Sequence, residues 1–258
     1  MDFDVLDTLL APLDGLHMRA DTRLIHVPGF ARVEAPSAPE SWRNEVYHCA
    51  LTTDADRVID ETFARYAELG TPFKWSVGPG SAPADLAERL GARGRSWTVQ
   101  AFGCQTTGWT ITCPDDVTVE RVTAETLPEF VQGNATGWDH QTPFVDRLLA
   151  DLQWSLETGT HRMFLARIDG EPVGMSAWVP RHRGPGYLSG GMVLPAFRGR
   201  GVYRALIQAR FDDMAALGQG RAVTLSRAHT SGPILSGLGL TPLFRYPIFE
   251  LPAPGDSG

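Results

Sequence analysis

The first half of the chain alternates between amphipathic stretches and short apolar runs. Leu6, Leu9, Leu10, Leu13 and Leu16 recur at three- and four-residue intervals, which predicts a helix over residues 5–16 with a kink marked by Pro12. A proline-rich loop through Pro36 and Pro39 follows, then a strand over Asn44 to Leu51. A helix from about Asp54 to Leu69 is stopped by Gly70. Phe73 to Val77 reads as a strand and Pro79-Gly80-Ser81 as a loop. Pro83 to Leu90 reads as a helix with proline in its first turn, and Trp97 to Phe102 as a further strand. This strand–helix–strand order is that of an α/β fold.

A turn-rich stretch from Gly103 to Asp116 separates this half from a second one. Val117 to Val122 alternates like a strand. Helices over Ala124 to Asn134 and Phe144 to Glu157 flank Thr136-Gly137-Trp138-Asp139-His140. Three strands come next: Met163 to Ile168, ending on the hairpin signal Asp169-Gly170, then Val173 to Val179 and Tyr187 to Leu194. A long helix from Gly201 to about Leu217 carries Tyr203, Leu206, Ile207, Phe211, Met214 and Leu217 on one face and is stopped by Gly218. Ala222 to Ser226 is a strand, Gly232 to Leu238 a short helix and Phe244 to Leu251 a closing strand. The expected organisation is an N-terminal lobe over 1–115, a second lobe over 116–252 and a loose tail over 253–258.

Composition narrows the function classes. A net charge of −7 argues against nucleic-acid binding through a basic surface. No run reaches the ~20 apolar residues a membrane helix requires, and the start Met1-Asp2-Phe3-Asp4 is acidic, unlike a signal peptide. Cys49, Cys104 and Cys113 lack metal-ligand spacing and read as reduced thiols of a cytoplasmic protein, with no metal implied.

One segment carries specific chemistry. Val193-Leu194-Pro195-Ala196-Phe197-Arg198-Gly199-Arg200-Gly201-Val202-Tyr203 joins a strand to the long helix. Its glycines let backbone N–H groups approach a ligand, and those groups open a helix whose dipole favours an anion. Arg198, Arg200 and Arg204 crowd the same positive end, which calls for a multiply charged anion such as a diphosphate. A dinucleotide fingerprint would need glycine at position 204, and the Walker lysine is missing.

From about Thr118 to Leu251 the chain resembles the GNAT acetyltransferase superfamily in its order of elements and in the motif Arg/Gln-x-x-Gly-x-Gly/Ala. Arg198 and Gly201 match that motif, and Tyr203 stands at its small-residue position. The resemblance implies a mixed central sheet flanked by helices and a cosubstrate of acetyl-CoA or another small acyl-CoA. It implies cofactor contacts from Met192, Val193, Arg198, Gly199, Arg200, Gly201, Val202 and Tyr203, with Gly191-Met192-Val193 along the pantetheine arm. Leu235 stands where the family often has the tyrosine that protonates the departing thiolate. Asn44 to Phe102 echoes the second half of the same fold, with Thr52-Thr53-Asp54-Ala55-Asp56 replacing the glycine turn. Such a pair of lobes is similar in layout to tandem-domain members, with the N-terminal copy degenerate.

Transfer to an amine requires a neutral nucleophile. At an amine pKa of ~10.4 only about one molecule in a thousand is neutral at pH 7, whereas a thiolate of pKa ~8.5 departs readily. The catalytic candidates are Tyr187 and Ser189, expected on one face of their strand together with Gly191, along with His229 and Asp139. Asp139 is equally explicable as a helix cap. Trp138, His140 and His182 are candidates for contact with a small-molecule amine. A non-catalytic acyl-CoA-binding protein and a different acyl-CoA chemistry stay open, as does a homodimer.

Overall fold

The computed structural model of the protein describes residues 5–38, 40–139 and 142–252. Their helices are α1 (Val5–Leu10), α2 (Ala55–Leu69), α3 (Leu86–Gly91), α4 (Leu127–Trp138), α5 (Thr142–Thr158), α6 (Val202–Ala216) and α7 (Ser231–Gly237). Their strands are β1 (Arg23–Val27), β2 (Phe30–Glu34), β3 (Glu45–Cys49), β4 (Phe73–Ser76), β5 (Arg95–Gln105), β6 (Thr118–Arg121), β7 (Arg162–Ile168), β8 (Glu171–Val179), β9 (Gly186–Val193), β10 (Arg221–Arg227) and β11 (Thr241–Leu251). No described helix is long and apolar enough to cross a membrane. The chain packs as two compact units. Unit 1 comprises residues 1–17, 102–224 and 238–241, and unit 2 comprises 18–101, 225–237 and 242–258.

In unit 1, β6, β7, β8 and β9 form an antiparallel run, and β10 joins β9 in parallel. Side chains of β8 alternate between two helical layers. Met175 and Ala177 enter a core with Phe130 and Val131 of α4 and Leu148 and Leu152 of α5. Two α4 glycines let that helix lie close, because a Cβ on Gly133 or Gly137 would strike Met175 or Met192. The other face receives α6, whose Val202 and Leu206 fill the space above Gly174. Arg162 and the Trp178 indole both donate to Asp213 and tie the far end of α6 to the sheet. Burial alone would raise the Asp213 pKa, but these donors hold the carboxyl below its usual value. The expected N-terminal helix is split: α1 ends at Leu10 and a 3-10 turn follows over Ala11–Leu13, where Pro12 removes a backbone donor.

Unit 2 has β1, β2 and β3 antiparallel, β3 and β4 parallel, and β4 and β11 antiparallel. Its core joins Val46, Phe73, Trp75, Phe249 and Leu251 to Ile59 and Tyr66 of α2 and Leu86 and Leu90 of α3. Tyr66 stacks on Phe73 at 4.1 Å between ring centres and donates its hydroxyl to the Val33 carbonyl at 2.5 Å. Much of the stretch expected to be a proline-rich loop is instead the β1–β2 hairpin, which turns at Pro28-Gly29 with Gly29 at φ 76. Helix α3 begins at Leu86, three residues after the expected proline start.

Candidate functional site

β9 is the strand from which the site is built. It pairs with β8 from Gly174↔Val193 to Val179↔Tyr187, and the register slips where Gly190 and Gly191 together oppose Ser176. Gly190 takes φ 55, so the bulge uses a residue without a Cβ. The slip turns Gly191 toward α6, where a Cβ would stand 2.7 Å from the Tyr203 ring. Tyr187 and Ser189, opposite Val179 and Ala177, keep to the α4–α5 side. The expectation of Tyr187, Ser189 and Gly191 on one face therefore fails at Gly191, because alternation does not survive an inserted residue.

On its other edge β9 meets β10 only at Gly186↔Ala222 and Tyr187↔Val223. One residue on, the Thr224 hydroxyl donates to the Leu188 carbonyl at 2.9 Å. The strand register on this edge ends there, and Ser189 to Val193 continue past it.

Beyond Val193 the chain makes a 3-10 turn over Pro195–Phe197, held by Phe197 N–H to Leu194 at 2.9 Å and Arg198 N–H to Pro195 at 3.3 Å. Gly199 and Gly201 then both sit at φ 78, left-handed positions that favour glycine. Gly201 caps α6, its carbonyl accepting from Arg204 and Ala205 at 3.0 and 3.2 Å. Among the described residues the N–H groups of Gly199, Arg200, Gly201, Val202 and Tyr203 have no hydrogen-bond acceptor. Five successive uncommitted donors at the positive end of a fifteen-residue helix are the chemistry of an anion cradle.

The arginines depart from expectation. Arg198 donates Nε to the Val193 carbonyl at 3.2 Å, bracing the turn against the strand it came from. Arg200 pairs with Asp116 at 2.6 Å, so part of the positive charge expected to await a diphosphate is already countered. Asp116 belongs to a strap lying along α6. Trp109 packs on Phe211 with ring centres 5.2 Å apart, Ile111 N–H donates to Gln208 at 2.7 Å, and a Cβ on Gly201 would stand 2.5 Å from Pro114. Gly201 is thus required twice, by its dihedral and by Pro114.

The remaining candidates scatter. Trp138 is the last residue of α4, next to Gly137 against Met192, and it is 46% exposed. Asp139 is exposed and caps the C-terminus of α4 at φ 56. His140 lies outside the described residues. His182 lines a polar cavity of about 550 Å³ with Arg181, Gln219 and Arg221, off the start of β9 and away from the glycine turn at its other end. His229 is exposed in the turn after β10, among unit 2 residues. Sequence reasoning missed Arg210. The residue is 1% exposed, and its guanidinium donates to Leu206, Ala177 and Ser189 carbonyls at 3.0, 3.3 and 3.5 Å, bracing both strands at the bulge. A basic residue on the apolar face of the helix was the available signal.

Residues 122–231 match the acetyltransferase (GNAT) family. That stretch is 110 of the chain's 258 residues, and over it the chain is similar to a GNAT acetyltransferase domain. The GNAT likeness extends over both units as fold. A functionally unknown conserved protein from Staphylococcus epidermidis superposes with a TM-score of 0.73 at 12% identity, over 93% of this chain and 99% of that one. A GCN5-related N-acetyltransferase from Kribbella flavida gives 0.69 at 16% identity, over 99% and 97%. A tandem GNAT protein from the clavulanic acid biosynthesis pathway gives 0.58 at 13% identity, over 95% and 92%. No curated protein sequence matches the chain. GNAT acetyltransferases take an acyl-CoA cosubstrate, and the uncommitted amides of 199–203 with the adjoining edge of β9 fit a diphosphate and the arm that follows it.

Proposed function

We propose that this protein transfers an acetyl group from acetyl-CoA to the nitrogen of a small-molecule amine. The observation that carries the proposal is the run of free N–H groups from Gly199 to Tyr203 at the head of α6, beside an edge of β9 that leaves its strand partner after Tyr187. The amides grip the diphosphate, while Met192 and Val193 offer strand backbone to the pantetheine arm. The acyl-CoA chemistry belongs to residues 116–252. Tyr187 and Ser189, on one face of β9, hydrogen-bond the acceptor or pass its proton to water. Trp138 walls the acceptor side at the end of α4.

The protein's largest task is to deliver the free amine, worth up to ~4 kcal/mol at pH 7 for an alkylamine. Thiolate departure needs less help, and Leu235, buried hydrocarbon at the tyrosine position, supplies none. That same leucine favours a second reading, in which acyl-CoA is bound without transfer. Free thiols at Cys49, Cys104 and Cys113 support a reducing, cytoplasmic setting.

Thiol release from acetyl-CoA in the presence of a panel of primary amines tests the proposal. Amine-dependent release that rises with pH supports transfer to nitrogen. Tight acetyl-CoA binding with no release above the buffer rate would replace it with the binding-protein reading.

A further inference from the structure

In unit 2, Trp97 of β5 carries two cations. The Lys74 ammonium, from β4, stands 5.3 Å from its ring centre, and the Arg227 guanidinium, from the end of β10, stands 5.8 Å from it. Either contact alone is an ordinary cation–π pair. Together they bring two like charges to one indole, which costs free energy unless an opposite charge is supplied. Glu45 and Glu250 act on Lys74 only through space: among the described residues neither Lys74 nor Arg227 makes a side-chain hydrogen bond or ion pair. By contrast Arg57, Arg65, Arg89 and Arg93 of the same unit each pair with a carboxylate.

The neighbouring carboxylates are committed elsewhere. Register places Lys74 opposite Glu45 on β3 and opposite Glu250 on β11, on the sheet face away from the α2–α3 core. Glu45 accepts the Ser76 hydroxyl at 2.5 Å. Glu250 accepts Ser41 at 2.6 Å and Arg95 at 2.9 Å. Burial pushes the Lys74 pKa down; Glu45 and Glu250 offset this, and the Arg227 charge adds to it. Burial likewise raises the pKa of Glu45, which weakens the one carboxylate best placed to balance the lysine.

We propose that Lys74, Arg227 and Trp97 form a binding site for the anionic group, carboxylate or phosphate, of a small molecule. The indole holds both cations near one ring, and the ligand's anion makes the direct ion pair that neither cation makes within the protein. The site is argued from unit 2 alone and stands independently of the transferase reading.

The test is calorimetric titration of the full chain with glutarate and with inorganic phosphate, for wild type, Lys74→Gln and Arg227→Gln. At least one anion binds wild type, and each substitution weakens it by about tenfold, as expected for a lost charge-assisted hydrogen bond. Preference for glutarate or for phosphate identifies the source of the anion. Arg227 is exposed at a strand end, so its variant remains informative should Lys74→Gln fail to fold. Acetyl-CoA affinity stays unchanged in both variants. The proposal is overturned if neither anion binds wild type, if the variants bind them equally well, or if acetyl-CoA affinity falls in step, which would assign the cations to the cosubstrate.

Discussion

Each unit contains a parallel strand pair whose first strand leads through a turn into a fifteen-residue helix. In unit 1 β9 pairs with β10 and runs into α6; in unit 2 β3 pairs with β4 and runs into α2. Both helices are capped by a left-handed residue without a side-chain cap bond, Gly201 at φ 78 and Asp54 at φ 55. The backbone route is shared; the chemistry placed on it is not. Around Gly201 the chain offers glycines and free amides. Around Asp54 it places a second carboxylate, Asp56, and the Arg57 and Arg89 guanidiniums are already engaged by Asp54, Asp56 and Glu61.

The strand edges differ as well. In unit 2 Ala82 bridges to β3's end, its N–H donating to Cys49 at 2.9 Å and its carbonyl accepting from Leu51 at 3.2 Å. The chain itself fills a strand edge of the kind that, in unit 1, has no β10 partner in register beyond Tyr187. A turn can therefore keep its dihedrals and lose its ligand in two ways, through repelling side chains and through a filled strand edge.

The comparison can be broken at several points. The largest effect is expected from Gly201→Asp, which gives unit 1 the carboxylate of unit 2 and sets a Cβ against Pro114. A like charge near 4 Å costs about 4 kcal/mol at an intermediate dielectric, so acetyl-CoA affinity should fall at least about a hundredfold by calorimetry. Affinity within threefold of wild type would remove the turn from the binding account.

Asp213→Asn should destabilise unit 1 by about 2 kcal/mol in denaturant unfolding, by leaving Arg162 short of its carboxylate. The folded pKa of Asp213 is depressed, so its contribution is complete above the unfolded value near 3.9 and is lost as pH falls through the folded pKa. The stability difference between wild type and variant should accordingly shrink in acid. A difference constant from neutral pH to below the folded pKa would show that the carboxylate is not the stabilising group.

A smaller change, of opposite sign, is expected from Asp116→Asn. Freeing Arg200 from an exposed ion pair worth under about 1 kcal/mol should tighten acetyl-CoA binding by a few-fold, most clearly at low salt. Weaker binding would mean that Asp116 helps to build the turn. Least of all, Asp54→Gly should leave acetyl-CoA affinity within twofold, since the filled edge at Ala82 persists. A new, second binding event in that variant would show that side chains alone had silenced unit 2.

Most of this contrast was legible in the sequence. The long amphipathic helices and the Arg198-Gly199-Arg200-Gly201 turn stood out because periodicity and left-handed glycines leave local signals. The β1–β2 hairpin was hidden because β1 is exposed or half-exposed along its whole length and shows no buried face for alternation to mark. The face swap at Gly191 was missed because a bulge is decided by the partner strand, although adjacent glycines hinted at it. Lys74, Trp97 and Arg227 come from three strands far apart in the chain, and only the folded sheet brings them to one ring. Asp116 was read as part of a boundary turn, and its hold on Arg200 depends on the strap's path along α6.

The most direct measurement is a titration of isotopically labelled protein with acetyl-CoA, followed through its backbone amide resonances. The amides of Gly199, Arg200, Gly201, Val202 and Tyr203 should show the largest shifts, while those of Asp54 to Arg57 stay in place. Saturating acetyl-CoA that leaves the five amides unmoved would contradict the account.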